Sequence, residues 1–227
     1  MTSFPMRRSR RHAQSGFTLV EIAIVLVIIG LLLGGVLKGQ ELIENGRVKN
    51  AAADMNGISA AYNSYLDRYR RLPGDDGPIA TLTGRGGQWA TAGITAGDNN
   101  GVLTIAAAQT FTGAAAEGAA FFQHLRASGF ITGNPGDVGL NALPTNAWGG
   151  RLGVTNAITQ GRPAARVLVC LGNVPGKAAA ALDVQLDDGL PNNGSFRATQ
   201  GANNLAPGGA AATYNEAQTY TVCRDLG

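Results

Sequence analysis

The sequence predicts an α+β protein: a long amino-terminal hydrophobic helix packed on a small antiparallel β-sheet domain. Three observations carry this. Residues 16–37, GFTLVEIAIVLVIIGLLLGGVL, form an apolar run of bilayer-spanning length, and Glu21 is its only charged side chain. From Lys38 the chain turns amphipathic, with Val48, Ala52, Met55, Ile58, Tyr62, Tyr65 and Tyr69 recurring at steps of three or four. Short β-like runs then gather in the last third, where Arg166-Val167-Leu168-Val169-Cys170 is the clearest. A chain of 227 residues has room for one membrane helix and one domain of about 150 residues.

Taken in order, the first element is one helix from Phe17 to about Tyr69, roughly 80 Å long at 1.5 Å per residue. It ends before Leu72-Pro73-Gly74, where turn chemistry takes over. Residues 17–37 suit the bilayer, 38–71 form the amphipathic continuation, and 72–227 form the globular domain. The aromatic stripe reads as domain core. Gly30, Gly34, Gly35 and Gly39 each cost about 1 kcal/mol relative to alanine in a helix interior. They either weaken this stretch or permit close helix packing.

Residues 72–116 read as irregular. Gly97-Asp98-Asn99-Asn100-Gly101 is a turn whose oxygens invite comparison with a calcium loop. It lacks the alternating acidic spacing and terminal Glu of an EF-hand, and Asn and Gly at positive φ explain it more simply. No metal site is expected. A helix should cover Glu117–Ser128, with Phe121, Phe122 and Leu125 on its buried side and Gly129 at its end. His124 within it reads as a surface or core-edge residue. Trp148-Gly149-Gly150 opens a strand region. Strands are expected at 151–155, 166–171 and 219–223, and an alanine-rich helix at Lys177–Leu186. Thirty-three glycines, with many Ala, Asn and Thr, point to a loop-rich domain and a modest core.

Ahead of the apolar run lies a short leader, residues 1–16, with Arg7, Arg8, Arg10 and Arg11 and no acid. Its small residue, Gly16, precedes the hydrophobic segment. A secretory signal peptide places its cleavage site after that segment. Cutting at Gly16 would discard the basic leader and keep the helix. The formal charge of +3, less these four arginines, becomes −1. The high isoelectric point therefore describes the uncut chain and bears on orientation: basic flanks stay cytoplasmic, which puts the carboxy-terminal domain outside.

Gly16-Phe17-Thr18-Leu19-Val20-Glu21 resembles the class III signal of type IV pilins and of type II secretion pseudopilins. The resemblance covers residues 7–37 and fades beyond about residue 70. It implies a pilin-like fold, cleavage between Gly16 and Phe17 by a prepilin peptidase, N-methylation of Phe17, and an assembly role for Glu21. It also implies an inner-membrane assembly platform and polymerisation with other pilins. The subunit would first sit in the inner membrane, single pass with a periplasmic domain. It would then enter a periplasmic or cell-surface filament. An uncleaved signal anchor explains neither Gly16 nor Glu21. One departure is Lys38, which stands where many pilins have a proline.

A carboxylate at membrane depth is costly and functional by default. After cleavage the new amine of Phe17 shares that environment. Pairing it with the Glu21 carboxylate of a neighbouring subunit relieves both charges and sets register. Cys170 and Cys223 both lie in the last quarter, and in an oxidising periplasm they are expected to pair. The alternatives are two buried thiols or a metal site. The chain-entropy model values the closed loop at about 4 kcal/mol, and type IV pilins often carry a similar carboxy-terminal disulfide loop.

Motifs of catalysis are missing. The sequence contains no GxxxxGK[ST], GxSxG or HExxH. Its paired carboxylates, Asp75-Asp76 and Asp187-Asp188, are sequence neighbours in turn contexts. No enzyme activity and no cofactor are expected. The reading is a structural filament subunit, a major or minor type IV pilin. Alternatives are a type II secretion pseudopilin and, in a different class, a minor-pilin binding or adhesion module.

Overall fold

The computed structural model describes residues 18–227. The leader, Gly16 and Phe17 lie outside the described residues. The chain divides into an amino-terminal unit ending at Ile43 and a carboxy-terminal unit, Glu44–Gly227.

Helix α1 spans Leu19–Tyr69 and serves both units. In the first unit its apolar side chains face outward all round: Leu19 is 86% exposed and Leu31 73%. An 18-residue window averages a mean hydropathy of 2.8 with no part of it buried, so this segment is long and apolar enough to cross a membrane. The helix runs unbroken through Gly30, Gly34, Gly35 and Gly39, and a Cβ at any of them would meet nothing within 4 Å. Packing within the chain does not require these glycines.

In the second unit α1 buries one stripe: Val48, Ala51, Ala52, Met55, Ile58, Ala61, Tyr62 and Tyr65. Six of the seven residues expected there are buried, and Tyr69 is half-buried at the helix end. The helix stops where Arg70 adopts φ +54° and Pro73 can no longer supply an amide hydrogen.

The expected irregular segment carries a short helix α2, Ile79–Thr83, and two 3₁₀ turns at Gly87–Ala90 and Ala107–Gln109. The first two were not legible because Thr81, Gly84 and the Gly86-Gly87 pair are poor helix formers. Helix α3 spans Ala116–Ala127 and ends at Gly129, φ +78°, as expected for a C-cap glycine. Phe121, Phe122 and Leu125 are fully buried.

The sheet has four strands, all antiparallel, in the order β1-β2-β4-β3. Strand β1 is Leu152–Thr155, β2 Leu168–Pro175, β3 Phe196–Gln200 and β4 Thr219–Asp225. Helix α4, Gly176–Leu186, follows β2 directly. Three expected strands are present with shifted ends. Strand β2 starts two residues later and runs on through a bulge between Leu171 and Val174, where Asn173 takes φ +57°. Strand β3 was not expected: Phe-Arg-Ala-Thr-Gln has little β-character, and its pairing with β4 makes it a strand. At the Trp148-Gly149-Gly150 corner, a Cβ on Gly150 would collide with the Gly172 carbonyl oxygen, so only glycine fits beside the neighbouring chain.

The core joins the α1 stripe to Phe121, Phe122 and Leu125 of α3, to Leu171, Val174, Phe196, Tyr220 and Val222 of the sheet, and to Ala178, Ala179 and Leu182 of α4. This is the expected α+β arrangement of a long helix and an antiparallel sheet.

Candidate functional site

At the start of α1, Thr18 and Glu21 cap the helix reciprocally. The Thr18 amide donates to Glu21 Oε2 at 2.7 Å, and the Thr18 hydroxyl donates to the same oxygen at 2.8 Å. The Glu21 amide donates in return to Thr18 Oγ1 at 3.3 Å. This is a capping box, T-x-x-E, readable at 18–21 from the sequence rules for helix starts. The carboxylate is thus already supplied with two neutral donors within its own chain, while remaining exposed. Phe17, its expected partner residue on a neighbour, lies outside the described residues.

Cys170 and Cys223 form a disulfide, S–S 2.11 Å, with Cα atoms 4.0 Å apart. They face each other directly in the β2–β4 register. Both are fully buried in a small cluster with Phe111 and Leu168. The bridge ties the central strand pair and closes the segment that contains α4 and β3.

Two neighbouring carboxylates diverge at the end of α1. Asp76 is fully buried and accepts from the Tyr65 hydroxyl at 2.6 Å and from Arg85 Nη2 at 2.8 Å, with Arg71 Nε at 3.8 Å. Arg85 stacks on Tyr69 and Trp89, 4.3 and 4.7 Å from their centroids. Burial and the Asp76 carboxylate hold the Tyr65 hydroxyl protonated, far above the ordinary range. Asp75 turns the other way and accepts from the amides of Asn100 and Gly101 at 3.0 and 2.9 Å. One carboxylate oxygen from each of Asp75, Asp98 and Glu117 lies within 4.8 Å of the other two. Burial pushes the Asp75 and Glu117 carboxyls upward. These are hard oxygen donors of the type that suits calcium. Asp75 and Glu117 are nonetheless engaged by backbone amides, Glu117 by that of Thr104. Asn99 at φ +60° and Gly101 at φ +86° give the loop its turn, as expected.

His124 corrects the sequence reading. It is fully buried, where a surface or core-edge position was expected. Its Nδ1 accepts from the Gly74 amide at 2.9 Å, and its Nε2 lies 2.8 Å from the Thr95 carbonyl, to which it donates. The ring is therefore neutral, and burial lowers its pKa to about 4. Gly74 is held at φ +97°, and a Cβ there would come within 2.7 Å of the Glu117 carbonyl. His124 thus pins the turn after α1 and the 93–97 segment onto α3. The missed signal was its position three residues after Phe121, on the buried face of α3.

Residues 11–37 match the family model described as the prokaryotic N-terminal methylation motif. No curated protein matches the chain, and no solved structure matches it. The chain carries the prepilin-type methylation signal of type IV pilins and type II secretion pseudopilins, followed by a pilin-like α+β fold.

Proposed function

We propose that this chain is a structural subunit of a helical filament, a type IV pilin. In this reading a prepilin peptidase and N-methyltransferase cuts the Gly16–Phe17 bond and methylates Phe17. Residues 17–37 hold the mature subunit in the inner membrane, and residues 38–71 continue the helix into a periplasmic domain, 72–227. An assembly platform then moves the subunit into a filament, where the apolar helices pack as a core and the domains coat the outside.

The observation that supports this most directly is the exposed apolar half of α1 with a carboxylate in its first turn. Only a membrane or a bundle of like helices can cover that surface. In the bundle, the Phe17 amine of an incoming subunit meets Glu21 of its neighbour, where the carboxylate has lone pairs beyond those Thr18 occupies. Attraction between the two charges grows as water is excluded. The cross-strand disulfide supports a subunit exposed to an oxidising compartment. It also favours the pilus reading over the pseudopilin one.

The test compares processed membrane pools with sheared filaments from the same cells. Glu21→Val makes the segment more apolar, so insertion and cleavage should continue. Mature monomer should accumulate and filaments should be lost. Intact mass of the wild-type subunit should show loss of residues 1–16 and one added methyl. Incorporation of Glu21→Val at the wild-type level would sink the pairing mechanism, and a mature protein beginning at Met1 would sink the processing.

A further inference from the structure

The carboxy-terminal unit concentrates like charge at two exposed places of opposite sign. The first is the end of α1. The Arg68 guanidinium lies 5.3 Å from the Tyr69 ring centroid and that of Arg85 lies 4.3 Å from the same ring. Arg85 is engaged by Asp76, whereas Arg68 has no carboxylate partner among the described residues. Arg70, two residues further, pairs with Asp67 at 3.4 Å, both side chains more than four-fifths exposed. Arg68, Tyr69, Arg85, Trp89 and Ser128 line a hollow of about 450 Å³ there.

The second place is the turn after α4. Carboxylate oxygens of Asp183, Asp187 and Asp188 lie within 4.8 Å of one another. Asp183 is buried against Tyr214. Asp187 and Asp188 are exposed and accept from neutral donors, the former from Phe196 and Ser195 and the latter from Leu190 and Asn193. Neither has an ion pair among the described residues. Val184, 72% exposed, and Leu190, 52% exposed, flank them in sequence.

We propose that these surfaces are the two halves of one contact between copies of the chain: the arginine face at the end of α1 on one subunit, and Asp187-Asp188 on the next. Each concentration of like charge is relieved by the other. Without the leader the chain carries a net charge of −1, which offers no general attraction to a polyanion, so a partner of opposite local charge is favoured. The contact joins unlike surfaces, and a contact of that kind propagates into an open polymer where its rotation does not close. Partly solvated pairs of this sort act mainly through encounter rate and register. The inference rests on the filament reading and names the contact that would set register outside the helical core.

Charge reversal in the full-length chain tests it. Arg68→Glu with Arg70→Glu, and separately Asp188→Arg, should each lower filament-incorporated subunit at least about tenfold relative to the processed membrane pool, because like charges would then face each other across the interface. Arg68→Glu combined with Asp188→Arg should recover most of the yield. A subunit carrying Arg68→Cys and Asp188→Cys should give intersubunit disulfides in sheared filaments, which keeps the test valid where Asp188→Arg disturbs its own turn. Reversed variants that assemble like wild type, or double-cysteine filaments with no intersubunit bridge, would overturn the contact and leave the filament reading standing. Wild-type subunit absent from sheared filaments would overturn both.

Discussion

The two parts of α1 share one backbone and differ in everything around it. From Leu19 to Leu37 the helix is apolar on all sides apart from Glu21 and makes no core, so its large hydrophobic side chains stand 46–86% exposed. Beyond Glu44 a single stripe is buried and the rest is polar. A helix hydrophobic all round needs an apolar solvent or many like neighbours, while a striped helix needs one domain face. The difference explains how the sites divide. In the first part Glu21 is held only by its own turn, and Lys38 and Glu41 pair one turn apart at the surface. In the second, some charged groups are buried among partners from distant segments, Asp76 with Arg85 and Tyr65 being the clearest.

That contrast can be broken at several points. The largest effect is expected at Asp76. Asp76→Ala removes the carboxylate under Arg85 and leaves a mostly buried cation and the Tyr65 hydroxyl without it. A loss of about 3 kcal/mol or more is expected, or roughly 6–12 °C in Tm for a domain of this size. Melting of the full-length protein in detergent reads it, and a shift under about 2 °C would show that the network contributes little. The amino-terminal half should keep its helicity throughout.

Losing the disulfide should act on the same unit. Cys223→Ser is expected to destabilise the outer domain by about 2–5 kcal/mol while leaving membrane insertion intact. Non-reducing peptide maps should link Cys170 to Cys223 in protein extracted without reductant. Free thiols at both positions would remove the bridge from the account.

His124 makes the second unit sensitive to acid. Folded, it stays neutral down to about 4; unfolded, an imidazole takes its proton near 6.5. Between those values the unfolded chain binds the extra proton. The stabilisation is thus fully present above pH 6.5 and is lost as pH falls toward 4, by up to about 3 kcal/mol. Asp75 and Glu117 act with the opposite sign, because their raised folded pKa values favour the folded state as acid is added. His124→Asn should therefore flatten or reverse the slope of stability between pH 6.5 and 4. An unchanged slope would place the acid sensitivity elsewhere.

The smallest effect sharpens the first unit. Thr18→Ala removes one side of the capping box, worth about 1 kcal/mol at a helix start. Amide exchange at Val20–Ala23 should quicken about fivefold in detergent, with no change in the domain's melting. If Glu21 serves assembly beyond capping, Thr18→Ala should still form filaments where Glu21→Val does not.

Much of the fold was legible because it rests on period and punctuation. The α1 stripe, the α3 face and the end of α1 at Pro73 follow from spacing and from proline's missing amide. The β2 and β4 runs were visible as β-rich segments, whereas Phe196–Gln200 became a strand through its partner. The site divides likewise. The apolar run, Glu21, Gly16 and the cysteines are chemical features of the chain itself. The burial of His124, the separation of Asp75 from Asp76 and the Arg85 stack depend on segments far apart in sequence. His124 lies 50 residues from Gly74 and 29 from Thr95, its two hydrogen-bond partners.

By itself the sequence determined where the chain meets an apolar environment, where the long helix starts and stops, and which two cysteines were available, since composition and local backbone preference decide those. Only the tertiary structure decided which polar groups go inside. A carboxylate or imidazole is buried when distant donors close around it, and no local pattern carries the positions of those donors.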